Sequence, residues 1–392
     1  MGTIVIEETE ILVVGDGPLA RSAVLLAARM GRRVLWVGGQ GRDDGPTDPR
    51  LYALAPDALA FLRRLGAWDA VPSEAVQPYE AMHVWWEEGG ALDFSPPPSG
   101  GMTLGAMVSA SGLRVGLDRA LGEVGWLVKT FPRREMTALT PQAGRILVRG
   151  PAGDIEARVV LACEGRKGVL ADLAGIPHLS FDPRARAVVG VVRPTLPHDG
   201  VARQVFTGDG PLGLLPRADG ALGYVWSVSE GRARELLSLE SDDLGAVLTA
   251  ASGGLLGPLL PQDAPQSFPL LIYCRLRCAA PRLLLLGDAA HAVHPFAGQG
   301  LNLGFRDLAT LERLWTSSGD PGSWSLLRRY ERLRRPAYLA TVVGLELLRT
   351  ALNRPDFWGF RRRTLDLLNR LGPFKAAFVR VATGRDTLPL RS

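Results

Sequence analysis

The sequence contains few cysteines and no long apolar run. Three cysteines occur in 392 residues. Cys163 lies within an apolar run, and Cys274 and Cys278 are four positions apart. No second Cys/His pair accompanies them, so the sequence predicts no metal site. An odd cysteine count without a regular framework is typical of a reducing compartment. Because no stretch approaches the roughly 20 apolar residues that span a membrane, we expect a cytoplasmic protein.

Neither sign of charge is in large excess. The formal net charge is +5, and much of the arginine lies in the last third of the chain, so the sequence does not predict a nucleic-acid-binding surface. The first residues lack the basic-then-apolar pattern of a secretory signal. A hydrophobic content of 46% with 22% charged residues is typical of globular proteins. The length fits one large two-lobed unit or two domains.

The most informative segment is 286–307. An apolar strand ends at Gly287, the carboxylate of Asp288 follows, and a turn leads into a helix that begins near Leu301. This order places a hydrogen-bond acceptor beside a helix N-terminus at the carboxyl edge of a sheet, where ligands of α/β folds bind. A polyhydroxylated chain suits Asp288, and an electron-rich ring edge suits free N–H groups at the helix start. The turn and the helix start contain Pro295, Gly298, Gly300, Leu301 and Asn302.

A second nucleotide signature lies near the N-terminus. Residues 11–39 have the pattern of a βαβ unit in which Gly15, Gly17 and Ala20 occupy the G-x-G-x-x-[G/A] positions. These positions provide a tight turn, a close approach to a pyrophosphate, and close packing of helix on strand. The spacing gains weight here because it follows an apolar strand and opens a helix.

The end of the second strand departs from that pattern. An acidic residue is expected there as the acceptor for the adenosine ribose hydroxyls, but the chain has Gly38 and Gly39. Asp43 and Asp44 are candidate replacements. Arg21, directly after Ala20, is also unusual in a helix that packs behind a dinucleotide.

Segment 286–307 resembles the second FAD-binding motif (GDAAH…P…GQG.N.G..D) of the flavoprotein aromatic hydroxylases typified by para-hydroxybenzoate hydroxylase. Its GQGLNLG form resembles the branch that hydroxylates the ring of ubiquinone precursors. The resemblance runs from about Thr9 to Gly384. It implies that Asp288 binds the ribityl chain, that Pro295 lies near the reactive face of the flavin, and that the backbone of residues 300–302 lies near its pyrimidine end. His291 is expected to pack near the turn.

Other positions match the family less closely. By resemblance, Arg50 approaches the FAD pyrophosphate, and Glu164 with Gly165 takes the place of the family's Asp-Gly middle motif. The departures are Gly38 at the ribose position, Ser109 in place of a glutamate, Gly168 in place of a serine and Ala171 in place of an arginine.

The predicted fold class is α/β, with three interleaved parts. Segments 1–75, 101–180 and 270–345 form an FAD-binding Rossmann-like lobe. Segments 76–100 and 181–269 form a β-sheet substrate lobe, because they alternate in hydrophobicity and contain turn signals. Residues 346–392 form a C-terminal helical region. The segment from Trp324 to Gly384 is predicted to be helical, with breaks at prolines including Pro336.

The substrate lobe is rich in hydrocarbon. The Gly210–Pro216 element resembles the strand that faces the flavin ring across the substrate cavity in this family. An apolar lining suits an aromatic ring that carries a prenyl chain, although side chains that only fill the core are equally consistent with the pattern. The predicted pocket residues are Phe206, Leu214, Pro216 and Trp226.

Arginines beside aromatic residues mark the C-terminal region, in clusters at 328–335 and 361–363. Such helices either expose a solvated face or rest on anionic lipid headgroups. If these helices rest on lipid headgroups, the cytoplasmic protein would also contact the inner face of the membrane peripherally.

The resemblance implies an FAD-dependent monooxygenase that uses NAD(P)H as a transient reductant and O₂ to hydroxylate a polyprenylated phenol in ubiquinone biosynthesis. Other quinone-biosynthesis proteins are possible partners. Alternatives are hydroxylation of a soluble aromatic or natural product, a non-catalytic scaffold in a quinone-synthesis complex, and a flavin reductase or lipid desaturase. No side chain in the sequence identifies itself as a catalytic acid or base.

Overall fold

The computed structural model describes residues 6–38, 48–95, 103–292 and 299–352. In chain order the strands in this part of the protein are β1 (Ile6–Val14), β2 (Val34–Val37), β3 (Leu51–Leu54), β4 (Val76–Tyr79), β5 (Ala81–Trp86), β6 (Ala91–Phe94), β7 (Gly105–Ser109), β8 (Val128–Phe131), β9 (Ala138–Pro141), β10 (Ile146–Arg149), β11 (Asp154–Ala162), β12 (His178–Pro194), β13 (Val201–Thr207), β14 (Gly210–Pro216), β15 (Leu222–Ser229), β16 (Leu259–Pro261), β17 (Gln266–Arg275), β18 (Ala279–Ala280), β19 (Leu283–Leu285) and β20 (His291–Ala292). The α-helices are α1 (Pro18–Arg29), α2 (Pro56–Arg64), α3 (Ala110–Gly122), α4 (Leu170–Leu173), α5 (Glu230–Ser238), α6 (Ser241–Ala251), α7 (Gln299–Thr316) and α8 (Trp324–Leu352).

The first sheet has the strand order β18-β19-β11-β1-β2-β8, with β10 and β9 added antiparallel beside β11. The strands from β19 to β8 pair in parallel. The β1 stretch Ile11–Val14 is buried throughout and reads as a continuous apolar run, as expected for a parallel strand covered on both faces. Helix α1 packs against α3 and α7, and these helices complete the main hydrophobic core.

The parallel pairing brings the ends of four strands to one edge of this sheet. Val14 is in register with Val37 and with Ala162, and Ala162 is in register with Leu285. Each of these residues precedes one of the segments that the sequence singles out. The glycine turn, the end of β2, the middle motif and the second motif therefore meet at the carboxyl edge, the usual ligand site of an α/β sheet.

The other two sheets are largely antiparallel. The larger has the order β20-β17-β12-β15-β14-β13-β5-β6, with β16 beside β12, and the smaller has the order β3-β7-β4. Helices α5 and α6 pack on one face of the larger sheet. The opposite face carries Ala202 and Leu215, which contact Ala53 and Met107 of the smaller sheet. The smaller sheet therefore covers part of the face that points away from α5 and α6.

This arrangement is the predicted α/β class. The proposed lobe boundaries stay a prediction, although β4 of the predicted substrate lobe pairs with β7 of the predicted FAD-binding lobe.

The predicted break at Pro336 is wrong, because α8 continues through it. Proline removes the hydrogen bond to the carbonyl four residues earlier, that of Arg332. Both Arg332 and Pro336 are exposed, so water can satisfy that carbonyl. The helix is therefore interrupted only on its solvent side.

Candidate active site

The glycine turn after β1 is shaped for a close approach by a ligand. Gly15 has a φ of +139°, and a Cβ there would overlap the carbonyl oxygen of Cys163, so only glycine fits. Gly17 lies at the N-terminus of α1, and, apart from its own chain neighbours and the adjoining helix backbone, no atom of the described residues lies within 4 Å of the position that its Cβ would occupy. The first turn of α1 contains no acidic residue and no side-chain cap. Free N–H groups beside open space suit a pyrophosphate.

The second motif is held against the first by Leu19. Gly287 has a φ of +54°, and a Cβ on it would overlap the Leu19 side chain. A Cβ on Gly304 of α7 would lie 2.9 Å from the same side chain. Glycine at both positions lets α1 and α7 approach closely, which explains how the two motifs come to share one site.

Asp288 faces this site. Its side chain is exposed, yet burial raises its pKa, while the charges of His291 and Arg166 act in the opposite direction. The Asp288 carboxylate is therefore close to many protein atoms but still reached by solvent. Gly300, at the start of α7, is close by, since a Cβ on it would lie 3.8 Å from an Asp288 oxygen. The acceptor and the helix N-terminus are therefore neighbours, an arrangement that fits a ribityl chain beside a flavin ring.

A buried ion pair supports this turn from behind. Asp307 of α7 accepts hydrogen bonds from the Gly287 amide at 3.0 Å, from His291 Nε2 at 3.1 Å and from Arg334 Nε at 2.7 Å. Burial would raise the pKa of Asp307, but the charges of Arg334 and His291 hold this pKa well below its usual range. His291 also stacks on Tyr338 of α8, with ring centroids 4.9 Å apart. The second motif is thus tied to the C-terminal helix.

Sequence reasoning did not identify Asp307 and Arg334 as a pair. The signal for Asp307 was present, because it is a carboxylate on the apolar side of an amphipathic helix, between Phe305 and Leu308. Arg334 gave no comparable signal, since it lies in a run of arginines and its partner is 27 residues away.

Asn302 connects the second motif to β3. Its Oδ1 accepts from the Ala55 amide at 2.9 Å, and its Nδ2 donates to the Ala53 carbonyl at 2.8 Å. The side chain is buried. Leu301 beside it is partly buried against the main core. Because the Asn302 side chain binds the backbone at Ala53 and Ala55, only the backbone of this segment is left for the predicted contact with the cofactor.

Arg50 lies just before β3, near the start of α3. Its guanidinium forms an ion pair with Asp48, with Nη2 2.6 Å from Oδ2, and its backbone carbonyl accepts from the Ala110 amide. Ser109 caps α3, since its hydroxyl accepts from the Gly112 amide at 3.1 Å. Ser109, which replaces the family's glutamate, thus has a structural role of its own.

Glu164 and Gly168 are coupled. A Glu164 oxygen accepts from the Leu170 amide at 3.1 Å and so caps α4. Burial raises the Glu164 pKa, and hydrogen bonds from the backbone of Leu170 and Val169 oppose that shift. A Cβ on Gly168 would lie 2.7 Å from the Glu164 Cβ. Gly165 has a φ of +72°, and Ala171 is buried in α4.

Several predicted positions lie outside the described residues. They are Gly39, Asp43, Asp44, Pro295, Gly298 and the arginines at 361–363.

The predicted pocket residues do not share one surface. Leu214 and Trp226 are buried in the core beneath α5 and α6. Pro216, two residues after Leu214, lies on the same side of β14 as Leu214 and is also buried. Their place in the substrate cavity stays a prediction. On β14 the neighbouring residue, Leu215, lies on the opposite side and faces the smaller sheet. Leu215 and Leu51 pack there with Ala53 and Met107. Phe206 lies on a third cluster, where it stacks on Trp86 with centroids 5.0 Å apart.

The fold and the site together define a dinucleotide-binding flavoprotein. The chain belongs to the FAD binding domain family, whose model matches residues 8–343. The match confirms the predicted family and the predicted FAD cofactor.

Relatives of this chain are named for quinone chemistry. It is 31% identical over 388 residues to "Ubiquinone hydroxylase UbiL" of Rhodospirillum rubrum, covering 96% of this chain and 89% of that protein. It is 28% identical to the "3-demethoxyubiquinol 3-hydroxylase" of Escherichia coli, covering 96% of this chain and 99% of the relative.

Solved structures share the fold. The p-nitrophenol 4-monooxygenase PnpA of Pseudomonas putida superposes with a TM-score of 0.77 at 17% identity, covering 97% of this chain and 99% of that chain. PqsL of Pseudomonas aeruginosa gives a TM-score of 0.75 at 21% identity, covering 92% and 99%. Within the described ranges, no helix combines the length and the hydropathy needed to cross a membrane.

Proposed function

We propose that the protein is an FAD-dependent monooxygenase that hydroxylates the aromatic ring of a polyprenylated phenol in ubiquinone biosynthesis, with NAD(P)H as reductant and O₂ as oxidant. The observation that carries the proposal is the 31% identity to a ubiquinone hydroxylase over 96% of this chain. The meeting of the glycine turn and the Asp288 turn at one sheet edge supports it.

The residues at that edge would hold FAD. The N-terminus of α1, with Gly15 and Gly17, would bind the pyrophosphate, and Asp288 would accept from the ribityl hydroxyls. The backbone amides at 300–302 would face the pyrimidine end of the flavin. When bound, FAD supplies the redox chemistry by accepting a hydride from NAD(P)H and activating O₂.

The apolar face between the two antiparallel sheets would hold the substrate. Leu215 and Leu51 are only partly buried there, and their apolar side chains suit a ring with a prenyl tail and exclude water from the reaction. Tyr79 packs on the same cluster, and burial raises the pKa of Tyr79 to about 12. Near neutral pH it is therefore a phenol that can donate a hydrogen bond but does not act as a base.

Three measurements test this function. Purified protein should bind FAD and show the visible absorption of oxidised flavin. With NAD(P)H, O₂ and a prenylated phenol it should form a product that contains one more oxygen atom. Deletion of the gene should make its host accumulate a quinone precursor that lacks this oxygen. A protein that binds no FAD would favour the scaffold alternative, and hydroxylation restricted to unprenylated aromatics would favour the soluble-substrate alternative.

We also propose peripheral contact with anionic membranes, which would give the enzyme access to a lipid-soluble substrate. Arg328, Arg329, Arg332 and Arg335 are exposed on α8, whereas Arg334 is buried and belongs to the Asp307 pair. Cosedimentation with vesicles that contain anionic lipid should therefore weaken with salt and with replacement of the four exposed arginines. Vesicle binding that is unaffected by salt and by replacement of the four arginines would contradict the proposal.

A further inference from the structure

The end of β2 lacks the side chain that usually receives the adenosine ribose. In βαβ dinucleotide folds an acidic residue at this place accepts from a ribose hydroxyl, whereas this chain has Gly38. Gly38 has a φ of +117°, a conformation that L side chains rarely adopt, and its amide donates to the Phe131 carbonyl at 2.9 Å. The backbone is therefore set for glycine.

The space beside Gly38 is filled by another carboxylate. A Cβ built on Gly38 would overlap Oδ1 of Asp16 and would lie 2.8 Å from the carbonyl oxygen of Gly15. Asp16 lies between the two glycines of the turn, and its side chain is partly exposed. A carboxylate thus lies where the side chain of residue 38 would begin, at the same edge of the sheet.

The loop that carries Asp16 is held in place by two side chains. The Trp36 indole donates to the Gly15 carbonyl at 2.8 Å, and Arg21 Nη1 donates to the carbonyl of Asp16. Arg21 is in turn fixed by Asp118, with Nε 2.8 Å from Oδ1, and its guanidinium lies 5.5 Å from the centre of the Trp36 ring. Arg21, the unusual arginine after the glycine motif, therefore positions the turn.

We propose that the carboxylate of Asp16 accepts the hydrogen bond from the adenosine ribose of FAD, in place of the side chain that is absent at position 38. The inference rests on the proposed function for the presence of FAD. The acceptor has moved from the end of β2 to the turn after β1, two strand ends that are adjacent because Val14 pairs with Val37. Arg21 is a positioning residue for it.

The test uses ligands that contain only part of FAD, bound to the full chain after its flavin has been removed. Calorimetry would give the Kd of ADP, 2′-deoxy-ADP and 3′-deoxy-ADP, and fluorescence would give the Kd of FMN. The wild type should prefer ADP to at least one deoxy analogue by about tenfold or more, the usual value of a hydrogen bond to a charged group. Asp16→Asn should lose most of that preference and leave the Kd of FMN unchanged. Asp16→Glu should recover part of it.

The matched control is the double variant Asp43→Asn with Asp44→Asn. It should keep the preference for ADP. The inference is overturned if Asp16→Asn discriminates between ADP and its deoxy analogues as well as the wild type does, or if the control variant loses that discrimination instead. A wild type that binds FAD but does not distinguish ADP from either analogue would also overturn it, and would leave the proposed function intact. A wild type that does not bind FAD at all would overturn both the inference about Asp16 and the proposed function.

Discussion

Replacing Asp307 with asparagine tests whether the buried ion pair holds the second motif to the C-terminal helix. Asparagine has nearly the same shape and can still accept from the Gly287 amide, but it carries no charge. The Arg334 guanidinium would then lose its counter-ion in a place where its side chain is only 7% exposed. The change therefore isolates the charge of Asp307 from its hydrogen bond to the turn.

The expected cost is large. Breaking a buried pair by removing one partner costs about 3–5 kcal/mol, because the remaining charge has no compensation. Removing both charges in Asp307→Asn with Arg334→Met should cost less than the single change for the same reason. The folded-state pKa of Asp307 is depressed, so its contribution is fully present above the unfolded value of about 3.9. It is lost as the pH falls through the lower folded value.

The assay is urea denaturation followed by tryptophan fluorescence, with the Kd of FAD as a second readout. Glu312→Gln is a control on α7, the helix that carries Asp307, since Glu312 pairs with Arg64 at 3.1 Å and the two side chains are 27% and 53% exposed; such surface pairs contribute about 0–1 kcal/mol. A loss below about 1 kcal/mol for Asp307→Asn, or a double variant as unstable as the sum of both single changes, would refute the reasoning.

Three further predictions test the site. Leu214→Ala should cost about 2–5 kcal/mol of stability as a core truncation with little effect on KM, whereas Leu215→Ala should raise the KM for a prenylated phenol at a smaller stability cost; the reverse pattern would contradict the assigned faces of β14. Asn302→Ala leaves two buried backbone groups unpaired and should cost about 2–4 kcal/mol, with faster amide exchange at Ala55; unchanged exchange would show that the link is unimportant. Gly168→Ser should cost about 1–3 kcal/mol by overpacking against Glu164. Shortening that side chain with Glu164→Asp should reduce the cost without abolishing it, since the Cβ of residue 164 remains; equal costs in both backgrounds would disprove the coupling.

The strands and motifs were predictable from the sequence, but the faces of the strands were not. The alternating segments of the substrate lobe are strands in the structure, among them β5, β13, β14 and β15. In β14, however, apolar residues occupy both faces, since Leu214 and Leu215 are neighbours. A strand without alternation carries no signal for which face is inside. The pocket residues chosen from it were therefore partly core residues.

The pairing of distant charges was also beyond the sequence. Arg334 differs from Arg332 and Arg335 only by its angle around α8, and that angle matters because Asp307 of α7 lies opposite. A helix period can predict which residues share a face, but it does not say which face meets a partner. The same lack of information produced the incorrect break at Pro336, because the carbonyl of Arg332 that it leaves unpaired belongs to an exposed residue.

Three of the four departures from the family pattern, those at Gly38, Ser109 and Gly168, have a structural explanation in their neighbouring residues. Gly38 lacks a carboxylate, but that of Asp16 fills the adjoining volume, and Gly168 lacks a side chain because Glu164 lies against it. Ser109 caps a helix. Taken one position at a time, these departures are missing side chains, and they suggested a non-catalytic scaffold. At Gly38 and Gly168, however, the side chain of a neighbouring residue occupies the space of the missing one. A carboxylate restored at position 38 alone would collide with Asp16, so such a change cannot be regarded as a repair of the site.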